Sequence, residues 1–205
     1  NNIGNVYWNL GEYDKALEYH NKALEIKKDV LGENTPNTAG SYNNIGLVYE
    51  ELGDYNEALE YHNKALEIRK EVLGENHPDT ASSYNNIGDI YKNLGDYDKA
   101  LEYQNKALEI RKEVLGENHP YTANSYNNIG LVYWNFGEYD KALEYYNKAL
   151  EIYKAVLGEN HPDTASSYNN IGNVYDDLGD YDKALEFHNK ALEIKKDVLG
   201  ENTPN

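Results

Sequence analysis

The side chains of this 205-residue chain that could do chemistry are six histidines and a dense set of carboxylates. His77, His119 and His161 each stand before a proline, at the start of a predicted helix, where capping accounts for them. His20, His62 and His188 recur at one register, a place taken by Gln104 and Tyr146 in sister segments. No two histidines have the i, i+4 spacing of a helical zinc pair. Asp176, Asp177, Asp180 and Asp182 crowd one corner without the glycine and terminal glutamate of a calcium loop. There is no cysteine, and so no disulfide, thiolate metal site or thiol nucleophile. A glycine-rich phosphate loop and a nucleophile elbow are both missing from the sequence. The expectation is a protein that is not an enzyme and holds no metal or cofactor.

What recurs with chemical meaning is the carboxamide. Asparagine pairs stand at Asn1/Asn2, Asn43/Asn44, Asn85/Asn86, Asn127/Asn128 and Asn169/Asn170. Asparagine is a mediocre helix former, because its side chain competes for backbone hydrogen bonds. Its amide both donates and accepts, which matches the N–H and C=O of an extended peptide.

These pairs are positioned by a repeat of 42 residues. Asn43 to Tyr84 and Asn85 to Tyr126 agree at 33 of 42 positions, and such self-similarity marks a stacked array of supersecondary units. Within one unit, Ala81, Tyr84, Ile87, Tyr91 and Leu94 step by three and four, which is one stripe of a helix. Pro78 suits its first position, Asp79 the positive end of its dipole, and Gly95 its stop. Asp96 is the expected N-cap of a second helix carrying Tyr97, Ala100, Leu101, Ala107, Leu108, Val114 and Leu115. Gly116 ends that helix. The glycines at 4, 46, 88, 130 and 172 fall inside first helices, where each costs roughly 1 kcal/mol against alanine. Close approach of the paired helix, opposite Ala100 and its equivalents, is the expected reason.

The predicted helices pair as Asn1–Leu10 with Tyr13–Leu31, Pro36–Leu52 with Tyr55–Leu73, Pro78–Leu94 with Tyr97–Leu115, Pro120–Phe136 with Tyr139–Leu157, and Pro162–Leu178 with Tyr181–Leu199. Glu201 to Asn205 starts a further helix. The fold class is therefore all-α, a right-handed α-solenoid of antiparallel helix pairs. It is a single repeat domain of 1–205 with units 1–36, 37–78, 79–120, 121–162 and 163–205. The chain opens inside a repeat, so the expectation is a piece of a longer polypeptide. His20–Asn37 and His188–Asn205 are identical, which marks recent duplication or deliberate construction.

Tyr84-x2-Ile87-Gly88-x2-Tyr91, then Ala100 and a later Pro120, resembles the tetratricopeptide repeat pattern. Gln104 departs from that pattern where an aromatic is expected. The period is eight residues longer than 34, so the second helix gains about two turns. With its NNIG, KALEI and VLGENHPDTA blocks, this longer form resembles the repeats of kinesin light chains and their bacterial relatives. The resemblance implies a binding scaffold and places the first helices on the concave side. Their remaining stripe then becomes a groove.

In that groove the first asparagine of each pair (Asn1, Asn43, Asn85, Asn127, Asn169) is the expected grip on a peptide main chain. Specificity is expected from positions where copies disagree: Asn5, Leu47, Asp89, Leu131 and Asn173, and Trp8, Glu50, Lys92, Trp134 and Asp176. Leu131 with Trp134 offers an apolar anchor. Chaperone-binding relatives clamp a C-terminal carboxylate with groove lysines, and this groove offers only Lys92.

The net charge of −17 opposes phosphate backbones and anionic lipid. The expected partner is a protein or peptide segment, neutral to basic, and not nucleic acid or membrane. Both ends carry interior-type sequence without polar caps, so head-to-tail self-association is also expected. A structural spacer or self-assembling array without a groove ligand is the alternative function. The lack of cysteine fits a cytoplasmic location.

Overall fold

The structure, a computed structural model, describes residues 1–199; the helix expected from Glu201 lies outside them. Among the described residues ten helices run in chain order and there is no strand. They are α1 Asn2–Asn9, α2 Tyr13–Leu31, α3 Pro36–Leu52, α4 Tyr55–Leu73, α5 Pro78–Asn93, α6 Tyr97–Leu115, α7 Pro120–Asn135, α8 Tyr139–Leu157, α9 Pro162–Asp177 and α10 Tyr181–Leu199. No helix among the described residues is long and apolar enough to cross a membrane.

Helices α3, α5, α7 and α9 start where proline and a side-chain cap coincide. His77, His119 and His161 each accept, through Nδ1, the backbone N–H two residues on, and Thr35 accepts that of Thr38. Proline fills the next position, where its missing N–H costs nothing. Even-numbered helices begin after a two- or three-residue corner. Asp96 and Asp180 cap theirs through Oδ1, whereas Glu12, Asp54 and Glu138 make no side-chain cap bond. The glycines after α2, α4 and α8 are a different device from a left-handed cap. Gly74 has φ 96° and ψ 164°, a region essentially closed to other residues, and Thr80 Oγ1 donates to its carbonyl at 2.9 Å.

The chain forms two compact units, Asn1–Ile110 and Arg111–Asn205. In the first, α2 packs on α1 and α3, and α4 on α3 and α5. One core layer there holds Leu24, Ala39, Tyr42, Ile45, Ala65 and Ile68, and the next holds Leu66, Ala81, Tyr84, Ile87, Ala107 and Ile110. In the second, α8 packs on α7 and α9, and α10 on α9, around Ala142, Tyr146, Leu150, Ala165, Tyr168, Ile171 and Val174. Each layer thus takes one stripe from a first helix and one from the second helices on either side of it.

Polar clamps tie successive repeats together inside each unit. Lys27, Arg69 and Arg111 reach from a second helix to Ser41, Ser83 and Ser125 Oγ of the following first helix, each at 2.7 Å. The tyrosine richness has a packing role. Tyr49–Tyr61, Tyr91–Tyr103, Tyr133–Tyr145 and Tyr175–Phe187 stack at centroid distances of 5.4 to 5.5 Å. The ammonium groups of Lys64, Lys106, Lys148 and Lys190 cover the second-helix rings.

Candidate functional site

With the alanine, tyrosine, isoleucine and valine stripe of α3, α5, α7 and α9 buried, the asparagine stripe is left half-buried beside it. Asn1, Asn43, Asn85, Asn127 and Asn169 are all partly accessible. Leu47, Glu50, Asp89, Lys92, Leu131 and Trp134 are half-buried as well, while Asn5, Trp8, Asn173 and Asp176 are exposed.

Within each unit the asparagines are joined as rungs between neighbouring first helices. Asn86 Nδ2 donates to Asn43 Oδ1 at 2.8 Å, and Asn170 Nδ2 to Asn127 Oδ1 at 2.7 Å. Asn86 and Asn170 therefore tie their repeats to the first asparagine of the one before, whereas Asn1 Oδ1 is buried without a hydrogen-bond partner. The rungs engage the acceptor of Asn43 and Asn127 and leave their N–H groups as what they offer outward. At Asn85, Nδ2 donates to Asp89 Oδ2 at 2.9 Å.

The positions that vary divide into two environments. In the first unit, Glu50 on α3 faces Asp89, Lys92 and Asn93 on α5. Lys92 lies 3.5 Å from Asp89 Oδ1, and Asn93 donates to Glu50 at 3.3 Å. Burial, followed by the negative charge of Asp89, pushes the Glu50 carboxyl up to about 7. In the second unit the expected anchor of Leu131 and Trp134 packs against the core. Trp134 Nε1 also donates to Asp177 Oδ2 of α9 at 2.6 Å. Trp134 is thus latched across two helices, and a partner has to displace that latch to use it. Its counterpart Trp8 is exposed and lines, with Leu47 and Val48, a cavity of about 290 Å³ rimmed by Asn5, Asn9 and Asn44.

Within each unit, the second helices bring residues outside the expected site against the first helices. His20, His62, Gln104 and Tyr146 are buried, each coming from the second helix of its hairpin. They explain the mid-helix glycines, and the expectation that Ala100 and its equivalents do so is corrected. A Cβ on Gly46 would lie 2.8 Å from the His62 ring, and one on Gly130 2.8 Å from the Tyr146 ring. Gly4, Gly88 and Gly172 meet His20, Gln104 and His188 in the same way. The signal was present in the sequence as a variable residue sixteen positions after each invariant glycine.

These residues are polar but unevenly satisfied. Gln104 Nε2 donates to the Asn85 carbonyl at 3.1 Å and to Asp89 Oδ1 at 3.2 Å. His188 Nδ1 lies 3.3 Å from Asn169 Oδ1. His20 Nδ1 and both ring nitrogens of His62 are buried without a hydrogen-bond partner. Burial, and secondarily the Arg69 charge, lowers His62 to about 4, so it is neutral at physiological pH. Burial also raises the Tyr146 hydroxyl above the ordinary tyrosine range. Among the described residues, no group of three or more His, Cys, Asp or Glu could hold a metal ion.

The comparisons with known proteins agree with this architecture. BtubC (BKLC) from P. vanneervenii is 28% identical, with a TM-score of 0.82 over 99% of this chain and 80% of that one. A putative kinesin light chain from Podosopora anserina, with nearly identical TPR-like repeats, is 21% identical, with a TM-score of 0.80 over 97% and 93% of the two chains. A Rap protein complexed with Competence and Sporulation Factor superposes with a TM-score of 0.78 at 20% identity, over 94% of this chain and 52% of that one. The last two are likenesses of fold. A nucleotide-binding leucine-rich repeat (NLR)-like protein of Hyaloscypha variabilis is 50% identical over 42 residues, one repeat length, which is 20% of this chain and 4% of that protein. A tetratricopeptide repeat family model matches residues 1–71, 39–113, 80–155 and 126–197 in overlapping succession. A helical hairpin repeated at 42 residues, matched by that model almost from end to end, means that the chain belongs to the tetratricopeptide repeat family.

Proposed function

We propose that the asparagine-lined faces hold an extended, neutral to basic peptide segment of a partner protein, gripping its main chain rather than catalysing a reaction on it. The tetratricopeptide repeat fold is that of a protein–protein interaction scaffold, and a Rap protein of the same fold has been solved with a bound factor. The observation that carries the reading is the rung geometry. Because Asn43 and Asn127 accept from the next repeat, their amide N–H groups offer donors to peptide carbonyls regardless of the peptide's sequence. The acidic surroundings of Glu50, Asp89, Asp176 and Asp177 favour basic side chains on the ligand.

The test is selection from a displayed library of extended peptides, followed by Asn43→Ala and Asn127→Ala, with urea midpoints measured in parallel. Enrichment of neutral to basic sequences, lost in both variants at near-unchanged stability, supports the reading. Failure to enrich any peptide, or enrichment indifferent to both variants, sinks it.

A second reading, head-to-tail association of this 205-residue chain, is favoured by the end faces. Ile3, Val6 and Ile26 are 55%, 56% and 63% exposed, whereas their counterparts Ile45, Val48 and Ile68 are 0%, 1% and 7% exposed. On α10, Leu192 is 49% exposed, against 8% for Leu150. A second copy would cover both faces with the surface that interior repeats already use. Sedimentation equilibrium at increasing concentration should then show growing mass, and a strict monomer throughout removes this reading.

A further inference from the structure

The two tryptophans share one register of the repeat but not one environment. Trp134 packs with Leu131 against a core cluster, and its Nε1 donates to Asp177 Oδ2 of the following first helix at 2.6 Å. At Trp8 the residue equivalent to Asp177 is Glu51, whose carboxylate instead lies 3.4 Å from the Tyr13 hydroxyl. Trp8 is 37% exposed and walls, with Leu47, a cavity of about 290 Å³. We propose that this cavity between α1 and α3 is the anchor subsite of the peptide face, taking one large apolar side chain of the bound segment, and that residue 51 decides whether it is open. The inference rests on the reading above, that this face takes an extended peptide, and adds where the peptide is anchored and by what.

The chemistry of the lining selects the occupant. The cavity has the volume of roughly ten waters, enough for one large side chain. Its accessible walls are the indole of Trp8 and the half-buried Leu47, over a floor of Val48 and His20, each 1% exposed. His20 Nδ1 is sealed from solvent and offers an occupant nothing. An aliphatic or aromatic side chain gains with every methylene it buries against these walls, whereas a charged or amide-bearing one gives up its water for carbon. Asn5, Asn9 and Asn44 stand at the rim, where their carboxamides can meet the peptide groups on either side of the anchor.

Charge selects the neighbours of that side chain. No lysine or arginine lines the space, and Glu50 follows Leu47 by about one turn on α3. The surroundings therefore favour a basic segment and oppose an acidic one. An apolar side chain between basic neighbours is what the subsite reads. The second unit does not duplicate it, because Asn173 stands in the place of Leu47 and Trp134 is held by Asp177.

Trp8 and Trp134 are the only two tryptophans, so their indole N–H signals in a ¹H–¹⁵N spectrum report the two places separately. The probes are capped pentapeptides, Ac-Lys-Gly-Leu-Gly-Lys-amide and its analogues with alanine or glutamate at the centre. The leucine probe is expected to move the Trp8 signal saturably and leave Trp134 in place. With three carbons fewer, the alanine probe should bind roughly eight- to sixtyfold more weakly, for half to full burial of the leucine, and the glutamate probe more weakly still. Leu47→Asn and Glu51→Asp copy residues the array already carries at Asn173 and Asp177, so both should fold. Leu47→Asn should erase the leucine preference. Glu51→Asp should shift the Trp8 signal without any probe and weaken the leucine probe roughly two- to tenfold, the worth of one hydrogen bond to be displaced. Equal binding of the leucine and alanine probes, equal movement of both indoles, or a leucine preference that survives Leu47→Asn overturns the subsite. Parent-like binding in Glu51→Asp overturns the role of residue 51. A Trp8 signal that moves with protein concentration alone assigns the cavity to a second copy and overturns the subsite as well. If all probes bind alike and Asn43→Ala weakens them all, the subsite falls while the peptide-face reading stands. Leucine-probe binding that Asn43→Ala leaves undiminished overturns the face reading and leaves the cavity. No response at millimolar probe overturns both.

Discussion

Neutral, fully buried His62 should contribute an acid sensitivity that one substitution removes. Its folded value of about 4 lies well below the ordinary histidine value of 6.5. As pH falls through 6.5 the unfolded chain takes up this proton, and the folded chain does not until about 4. The group therefore contributes stability that is complete above 6.5, erodes between 6.5 and 4, and is gone below. At 1.36 kcal/mol per pH unit, the interval is worth about 3 kcal/mol. Glu50 works in the opposite sense over much of the same range. Its folded value is raised from 4.5 to about 7, so its contribution is complete below 4.5 and lost as pH rises through 7. The two slopes oppose each other between 4.5 and 6.5, and the parent chain is expected to hide both. His62→Gln, copying Gln104, leaves Glu50 unopposed, and Glu50→Gln leaves His62 unopposed. Urea unfolding at pH 7, 5.5 and 4, followed by circular dichroism, reads this directly. Because repeats in an array unfold as coupled units, the quantity compared is the change with pH between variants. His62→Gln should lose about 3 kcal/mol less than the parent between pH 7 and 4, and Glu50→Gln should lose more than the parent. Identical pH dependence in the parent and His62→Gln, or a His62 imidazole titrating near 6.5, refutes the reasoning.

Gly130→Ala should destabilise by about 2 kcal/mol despite better helix propensity, because its Cβ meets the enclosed Tyr146 ring at 2.8 Å. Gly40→Ala, with nothing within 4 Å of the new carbon, should stabilise by about 0.5 to 1 kcal/mol; urea midpoints in the reverse order contradict both. Arg69→Ala removes a charged donor from Ser83 Oγ and the Asp79 carbonyl and should cost about 2 kcal/mol, with Ser83→Ala costing about half as much. Asp177→Ala should release the Trp134 indole, seen as greater quenching of its fluorescence by acrylamide in a Trp8→Phe background. Unchanged quenching means that the latch does not hold in solution.

The helices were legible because their punctuation is local. Proline at 36, 78, 120 and 162 opens helices that begin at those residues, and a glycine stands inside each hairpin corner. The glycine inside each first helix was legible only as a demand for space. Which atoms fill that space depends on how one helix of the hairpin lies across the other, and the filler proved to be the variable residues His20, His62, Gln104 and Tyr146. The rungs were hidden for a related reason, since Asn86 finds Asn43 across a repeat boundary. Trp8 and Trp134 occupy the same register in the sequence yet differ in the structure. The short Asp177 side chain reaches one indole, while the longer Glu51 turns to Tyr13.

The absent Cβ opposite these buried residues has an evolutionary consequence. Imidazole, carboxamide and phenol have all been seated at one address against the same glycine, so that address can drift without asking anything of the backbone. A lineage that lengthens its array by copying whole repeats begins with redundant sockets, as the identical His20–Asn37 and His188–Asn205 stretches illustrate. Each copy can then acquire its own chemistry by substitution at a single codon. Innovation in such an array is inexpensive because the scaffold keeps one vacancy per repeat in reserve.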